Sequence, residues 1–150
     1  MALLAPYAHS YLRITRPDAS PANADWGHDD RTVAFRIPQS NAANRRLEHR
    51  LPGGDANPYL ALALMLGAGL IGLQQQHAPS AARSSGDAQS RAAALPQDLS
   101  AALSALEACP ILGEVFGAGF VQLYAMVKRH ELTEQAADAD FALRHLLSRS

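Results

Sequence analysis

The stretch from Arg45 to Leu62, RRLEHRLPGGDANPYLAL, constrains this chain more than any other. Apolar and charged residues alternate through Leu47-Glu48-His49-Arg50, which predicts a short strand over residues 46–50. Successive strand side chains point to opposite faces, so Arg46, Glu48 and Arg50 share one face and Leu47 and His49 the other. Side chains two apart on a strand lie roughly 6–7 Å from each other. That spacing can surround one polyatomic ligand without the charges simply neutralising each other. Mixed charge is also how a solvated strand surface looks, and the pattern alone leaves both readings open. The chain then turns at Pro52-Gly53-Gly54. Asn57 is a favoured N-cap and Pro58 a favoured first helical residue, so a helix is expected from Pro58 to about Leu73. Its residues are apolar on every side, which predicts burial rather than an amphipathic surface position. Gly67-x-Gly69-x-x-Gly72 matches the dinucleotide fingerprint formally, but that fingerprint needs a strand before it and a helix after it. Close helix packing and C-capping account for these glycines better.

Around this stretch the rest of the chain reads as α+β. Thr32-Val33-Ala34-Phe35-Arg36-Ile37 is rich in β-branched and aromatic residues and is stopped by Pro38, so a strand is expected over residues 32–37. Residues 39–44 make a polar loop, and an antiparallel return over 46–50 sets Arg36 beside Glu48 and Arg50. Before the first strand, Ala5–Arg16 reads as an extended or loop segment, and Trp26-Gly27-His28-Asp29-Asp30-Arg31 leads into the strand. Residues 74–94 are polar and Ser/Ala-rich, a surface excursion. Leu95-Pro96 opens the next helix, with Leu99, Ala102, Leu103 and Leu106 as its stripe and Pro110 beyond its end. A further helix is expected to put Phe116, Phe120, Leu123, Tyr124 and Val127 into the core, and a last helix runs to about Leu147.

Composition sets outer limits. One hundred and fifty residues, 48% hydrophobic and 18% charged, suit one globular domain with a real core. A net charge of −1 argues against a general nucleic-acid binder. Cys109 is the only cysteine, so no internal disulfide is possible and a reducing cytoplasm is the expected location. The opening MALLAPYAHSY lacks a basic leader with a long apolar run, so no signal peptide is expected. Pro58–Leu73 is too short for a membrane span, so no membrane association is expected. Twelve of the thirteen basic residues are arginine, seven of them before residue 51. Arginine offers a planar fork that grips carboxylate and phosphate bidentately, which lysine cannot do. The six histidines are scattered, without the i, i+4 spacing of a helical metal site.

R-x-E-x-R, then Gly-Asp-Ala-Asn-Pro-Tyr-Leu and an apolar helix, resembles the signature of the glutamine synthetase catalytic domain. The wording NRRLEHRLPGGDANPYLALA is closest to the γ-glutamylpolyamine (γ-glutamylputrescine) synthetase branch. The resemblance runs from Ala5 to about His130 across one degraded linker, in which Gly86-Asp87-Ala88-Gln89 resembles a worn family element, and Ile111-Leu112-Gly113-Glu114-Val115-Phe116 resembles a family turn. It implies the C-terminal portion of such a domain: substrate and nucleotide strands with the buried helix over 5–73, a polar linker over 74–94, and C-terminal helices over 95–150. It also implies a reaction in which ATP phosphorylates the γ-carboxylate of glutamate and an amine displaces phosphate to form an amide.

By motif, the resemblance implies that Arg13 (in His9-Ser10-Tyr11-Leu12-Arg13, with His9 where the family has Asn) would hold the glutamate α-carboxylate. It implies that Arg31 and Arg36 would face the ATP phosphates, Arg31 in a catalytic role at the transferred phosphoryl group. Asp30 stands where the family has Asn. Arg50 would hold glutamate or its γ-phosphoryl group, and Glu48 would be one ligand to Mg²⁺ or Mn²⁺. The flap glutamate that helps ammonium-using enzymes falls on Ala19, which suits a bulkier amine nucleophile. Family enzymes are much longer, carry most metal ligands in an earlier part, and build each site between neighbours in a ring homo-oligomer. The resemblance therefore implies a fragment or truncated relative, inactive alone, whose partners are the missing N-terminal part and neighbouring subunits. Its substrates would be glutamate with a polyamine or ammonium. An ammonia-using glutamine synthetase fragment and a non-catalytic interaction module are the competing readings.

Overall fold

A computed structural model describes residues 1–16, 20–84, 92–138, 140–141 and 144. Ala19, Gly86-Asp87-Ala88-Gln89 and the end of the expected last helix lie outside the described residues. The architecture is α+β, as expected. A 3-10 turn at Ala8–Ser10 leads into α1 (Tyr11–Ile14), so most of the segment expected to be extended or loop is instead a short helical block. The sheet has three strands: β1 (Trp26–His28), β2 (Phe35–Ile37) and β3 (Glu48–His49). β2 pairs antiparallel with β3, with Phe35 opposite His49 and Arg36 opposite Glu48. Both strands are shorter than their patterns suggested. Unforeseen is β1, which lies parallel to β2 on its other side. It occupies the lead-in WGH, whose pairing depends on distant chain: Gly27 also bridges to Arg83.

α2 spans Pro58–Gln74. The Asn57 side-chain oxygen accepts from the backbone N–H of Tyr59 at 3.0 Å and of Leu60 at 3.2 Å, the cap expected there. α3 (Leu99–Glu107) starts at Asp98, whose carboxylate accepts from Ala101 N–H at 2.7 Å, so Leu95-Pro96 precedes the helix rather than opening it. α4 (Pro110–Phe116) is a helix where a turn was expected, and α5 spans Ala118–Ala137. Among the described residues, no single helix is long and apolar enough to cross a membrane.

Two clusters make the core, and adjacent residues feed both. Leu3 joins Tyr11, Ile14, the stripe Leu99, Ala102, Leu103 and Leu106, and Val121 and Ala125 of α5. Leu4 turns the other way, onto Ala34 and Leu51 beneath the sheet, and its carbonyl accepts from Gly53 N–H at 3.1 Å. The N-terminal tail thus ties the helical half to the turn after β3.

α2 corrects a sequence expectation, since none of its residues is buried. Leu66 is 69% exposed and Leu73 78%. An all-round apolar helix needs neighbours on every side, and this chain supplies them on only part of the circumference, through Leu60, Leu64 and the contact with α4. Leu123 and Val127 are likewise exposed, whereas Phe116, Phe120 and Tyr124 stack in series and pack on the core.

At the α2–α4 contact, a Cβ on Gly67 would sit 2.6 and 2.8 Å from the two methyls of Val115. Gly67→Ala should force the helices apart at about 1–3 kcal/mol, offset by the roughly 1 kcal/mol that alanine gains over glycine in a helix. A net loss of about 1 kcal/mol is expected in urea denaturation, and Val115→Ala in the same background should recover part of it.

Candidate active site

β2 and β3 bring the charged residues of the hairpin together. Arg36 donates to Glu48 Oε2 at 2.9 Å and to Asp29 Oδ1 at 2.5 Å. Arg46 reaches the other oxygen of Glu48, at 3.2 Å. Glu48 is therefore neutralised from both sides, where the strand spacing had suggested charges held apart. Alternation accounts only for neighbours along one strand, whereas Arg36 arrives across the ladder. The hydrogen bond from Arg36, with its charge, holds the Glu48 carboxyl below its ordinary range, against a desolvation that works the other way. Asp29 is held low mainly by the same guanidinium. It sits at φ 53°, the left-handed region that Asp tolerates better than most residues.

Arg31 is exposed and acts on Asp29 through its charge. Arg50 is half-buried and near enough to Asp30 to favour the ionised carboxyl. Burial opposes that ionisation, but Asp30 Oδ1 accepts from both the backbone N–H and the hydroxyl of Thr32 at 2.7 Å, and its pKa is lowered. Two donors are left over: Arg36 Nε and Arg50 Nη1 are buried without a hydrogen-bond partner among the described residues. A buried unpaired donor is costly. With Arg31, Arg36, Arg46 and Arg50 facing Asp29, Asp30 and Glu48, the hairpin retains surplus cationic character and fits an oxyanion such as a phosphate or carboxylate.

A divalent cation fits less well. Both oxygens of Glu48 are engaged by arginine, and among the described residues no three His, Cys, Asp or Glu side chains are placed to hold a metal ion. The residues present do not by themselves make a metal site.

Arg13 lies apart from that hairpin but against its exit. Its Nη2 donates to the Leu51 carbonyl, one residue beyond Arg50. From there it lines a cleft of about 380 Å³ with His9, Ser10, Pro52, Gly53, Gly54 and Asp55. Asp55 was not anticipated as a site residue. Its Oδ2 accepts from the Ser10 hydroxyl at 2.5 Å, and His9 Nε2 stands 3.8 Å away. The signal was present in the Gly-Gly that precedes it, because a Cβ on Gly53 would fall 2.1 Å from Asp55 Oδ1.

The model of the family described as "Glutamine synthetase, catalytic domain" matches residues 1–143. The chain belongs to the glutamine synthetase family. Among its relatives, the γ-glutamylputrescine synthetase of Escherichia coli strain K12 is 47% identical over 76 residues, 51% of this chain and 16% of that protein. A glutamate–isopropylamine ligase from a Pseudomonas species is 34% identical over 139 residues, 89% of this chain and 30% of the relative. Among solved structures, GmaS in complex with ADP superposes with a TM-score of 0.77 at 35% identity, covering 91% of this chain and 33% of that one. The chain thus spans no more than about a third of the length of each of these proteins. The family's fold agrees with the α+β architecture found here.

Proposed function

We propose that this chain supplies the C-terminal part of an ATP-dependent glutamate–amine ligase of the γ-glutamylpolyamine synthetase kind, which forms a γ-glutamyl amide through γ-glutamyl phosphate. The observation that carries this reading is the contact between Arg13 and Leu51. It sets Arg13 at the mouth of the Arg36–Glu48–Arg50 hairpin, where two guanidinium nitrogens are buried without a hydrogen-bond partner among the described residues. On this reading Arg13 takes the α-carboxylate of glutamate. Arg50 takes the end of glutamate that receives phosphate, and Arg31 and Arg36 face the ATP phosphates. Their part in the reaction is electrostatic: positioned donors meet the charge that develops on the transferred phosphoryl group. Relatives named for putrescine and isopropylamine support an amine nucleophile over ammonium.

Glu48 would hold Mg²⁺ or Mn²⁺ only if further carboxylates joined it and an arginine let go. Those ligands, and cover for the apolar face of α2, would come from the remaining catalytic part and from neighbouring subunits of a ring. The setting would be cytoplasmic.

The 150-residue chain alone is therefore expected to bind Mg-ATP weakly and to release no phosphate with glutamate plus putrescine, isopropylamine or ammonium. Spliced in place of the matching segment of the Escherichia coli γ-glutamylputrescine synthetase, it should restore amide formation. Robust turnover by the isolated chain, or an inert chimera that folds and assembles, would overturn the reading.

A further inference from the structure

We infer that Lys128 is a positioning residue for the segment that carries Arg13: from α5 it grips the Tyr7 ring and so fixes the turn that leads into α1. The inference rests on the glutamate reading above and adds to it a residue that does not line the Arg13 cleft. Lys128 is the chain's only lysine. With Val121 and Ala125 it makes up the buried face of α5. Lysine is almost never buried unless it is paired, and an apolar residue would pack there at less cost. Three groups take up its ammonium. Glu131 Oε2 accepts from it at 2.7 Å, and it lies 4.2 Å from the centre of the Tyr7 ring and 5.9 Å from that of Tyr124. Both ring distances fall within the roughly 6 Å over which an aromatic face attracts a cation.

The two rings differ in what they hold. Tyr124 belongs to α5 itself, and its hydroxyl donates to the Ala2 carbonyl at 2.9 Å, so it is fixed without Lys128. Tyr7 stands on the other side of the contact. Its N–H donates to Ser10 Oγ at 3.1 Å, its carbonyl accepts from Ser10 N–H at 3.1 Å, and its ring stacks on His9 with centres 5.4 Å apart. These contacts close the 3-10 turn at Ala8–Ser10, and α1 with Arg13 follows without a break. Tyr11 and Ile14 sit in the same core cluster as Val121 and Ala125, which seats α1 against the helices. Apolar burial is non-directional, however, whereas a cation over a ring face fixes where that face points. Lys128 thus sets the direction in which the His9–Arg13 segment leaves the core, and with it the point that Arg13 reaches at the Leu51 carbonyl.

In the chimera with the Escherichia coli γ-glutamylputrescine synthetase, Lys128→Met should raise KM for glutamate about tenfold, with kcat and KM for ATP within about twofold. Lys128→Arg, which keeps a cation for the two rings, should stay close to the unaltered chimera. Tyr7→Leu, which keeps the backbone N–H and removes the ring, should raise KM as Lys128→Met does, and the two changes together should add nothing further. Amide exchange in the 150-residue chain, followed by NMR, needs no ligase activity. There Lys128→Met should speed exchange of the Tyr7 N–H about tenfold and leave the α3 amides within about twofold, whereas global destabilisation would speed both. Unchanged Tyr7 exchange, a loss confined to kcat, or a rise in KM shared equally by ATP overturns the inference. A chimera that forms no amide sinks the ligase reading instead, and the exchange measurement still decides whether Lys128 holds the turn. Where Lys128→Met does not fold, an unchanged KM for glutamate in Tyr7→Leu overturns the inference.

Discussion

At pH 4 the chain should be less stable than at pH 7 by about 2 kcal/mol more than its carboxylates explain, and His49→Phe should remove that excess. Both ring nitrogens of His49 are buried without a hydrogen-bond partner among the described residues. The ring stacks on Phe35 at 4.4 Å and borders an apolar cleft of about 460 Å³ lined by Leu4, Leu47, Leu64 and Met65 among others. Burial there, with a smaller repulsion from the N-terminal ammonium, pushes its pKa down to about 4. The folded value thus lies below the unfolded one of about 6.5. Between the two, the unfolded chain binds more protons, so stability is complete above about pH 6.5 and is lost as pH falls toward 4. The whole shift would be worth about 3 kcal/mol, and the opening of the cleft to solvent reduces it to about 2. Asp29 and Glu48, held low by Arg36, lose their contribution only below the ordinary carboxylate range, so their window lies on the acid side of this one. Urea denaturation at half-unit pH steps, for the chain and for His49→Phe, separates the two. An imidazole that titrates near 6.5 by NMR would sink the argument.

The same histidine shows where the sequence speaks and where it stops. Strand alternation placed Leu47 and His49 together away from Glu48, and both line the apolar cleft. The cap at Asn57 and the stripe Leu99, Ala102, Leu103 and Leu106 were equally legible, because each depends on spacing within one element. What escaped depends on chain far away. β1 forms because Gly27 meets both β2 and Arg83, and no local propensity in Trp-Gly-His announces that. The pairing of Glu48 by Arg36, by contrast, was expected from an antiparallel return of the chain, and the ladder register provides it. α2 is the opposite case. Its all-round apolar composition predicts a helix with neighbours on every side, and this chain covers only part of its circumference. Asp55 was missed because its meaning comes from Ser10 and Arg13, more than forty residues away along the chain.

In the chimera with the Escherichia coli γ-glutamylputrescine synthetase, kcat/KM for putrescine should exceed that for ammonium by about a hundredfold or more. Ammonium has to be stripped of water and held by a negative group before it can lose a proton and attack. Burying a cation without a counter-charge costs several kcal/mol. Ala19, at the position the family's flap glutamate would fill, carries no charge, and neither does Ser20 beside it. A diamine has another source of binding free energy. Each methylene it buries contributes roughly 0.8 kcal/mol, so the four of putrescine come to about 3 kcal/mol, a factor of about a hundred. The rest of the chimera also shapes the amine site, so the ratio alone does not isolate this segment. Ala19→Glu does, because it returns a carboxylate at this one position. It should raise kcat/KM for ammonium and narrow the gap by about tenfold, with both nucleophiles compared at equal free-base concentration. If ammonium is already the better substrate, or if Ala19→Glu leaves the ratio unchanged, the segment does not select the nucleophile and an ammonia-using parent becomes the better reading.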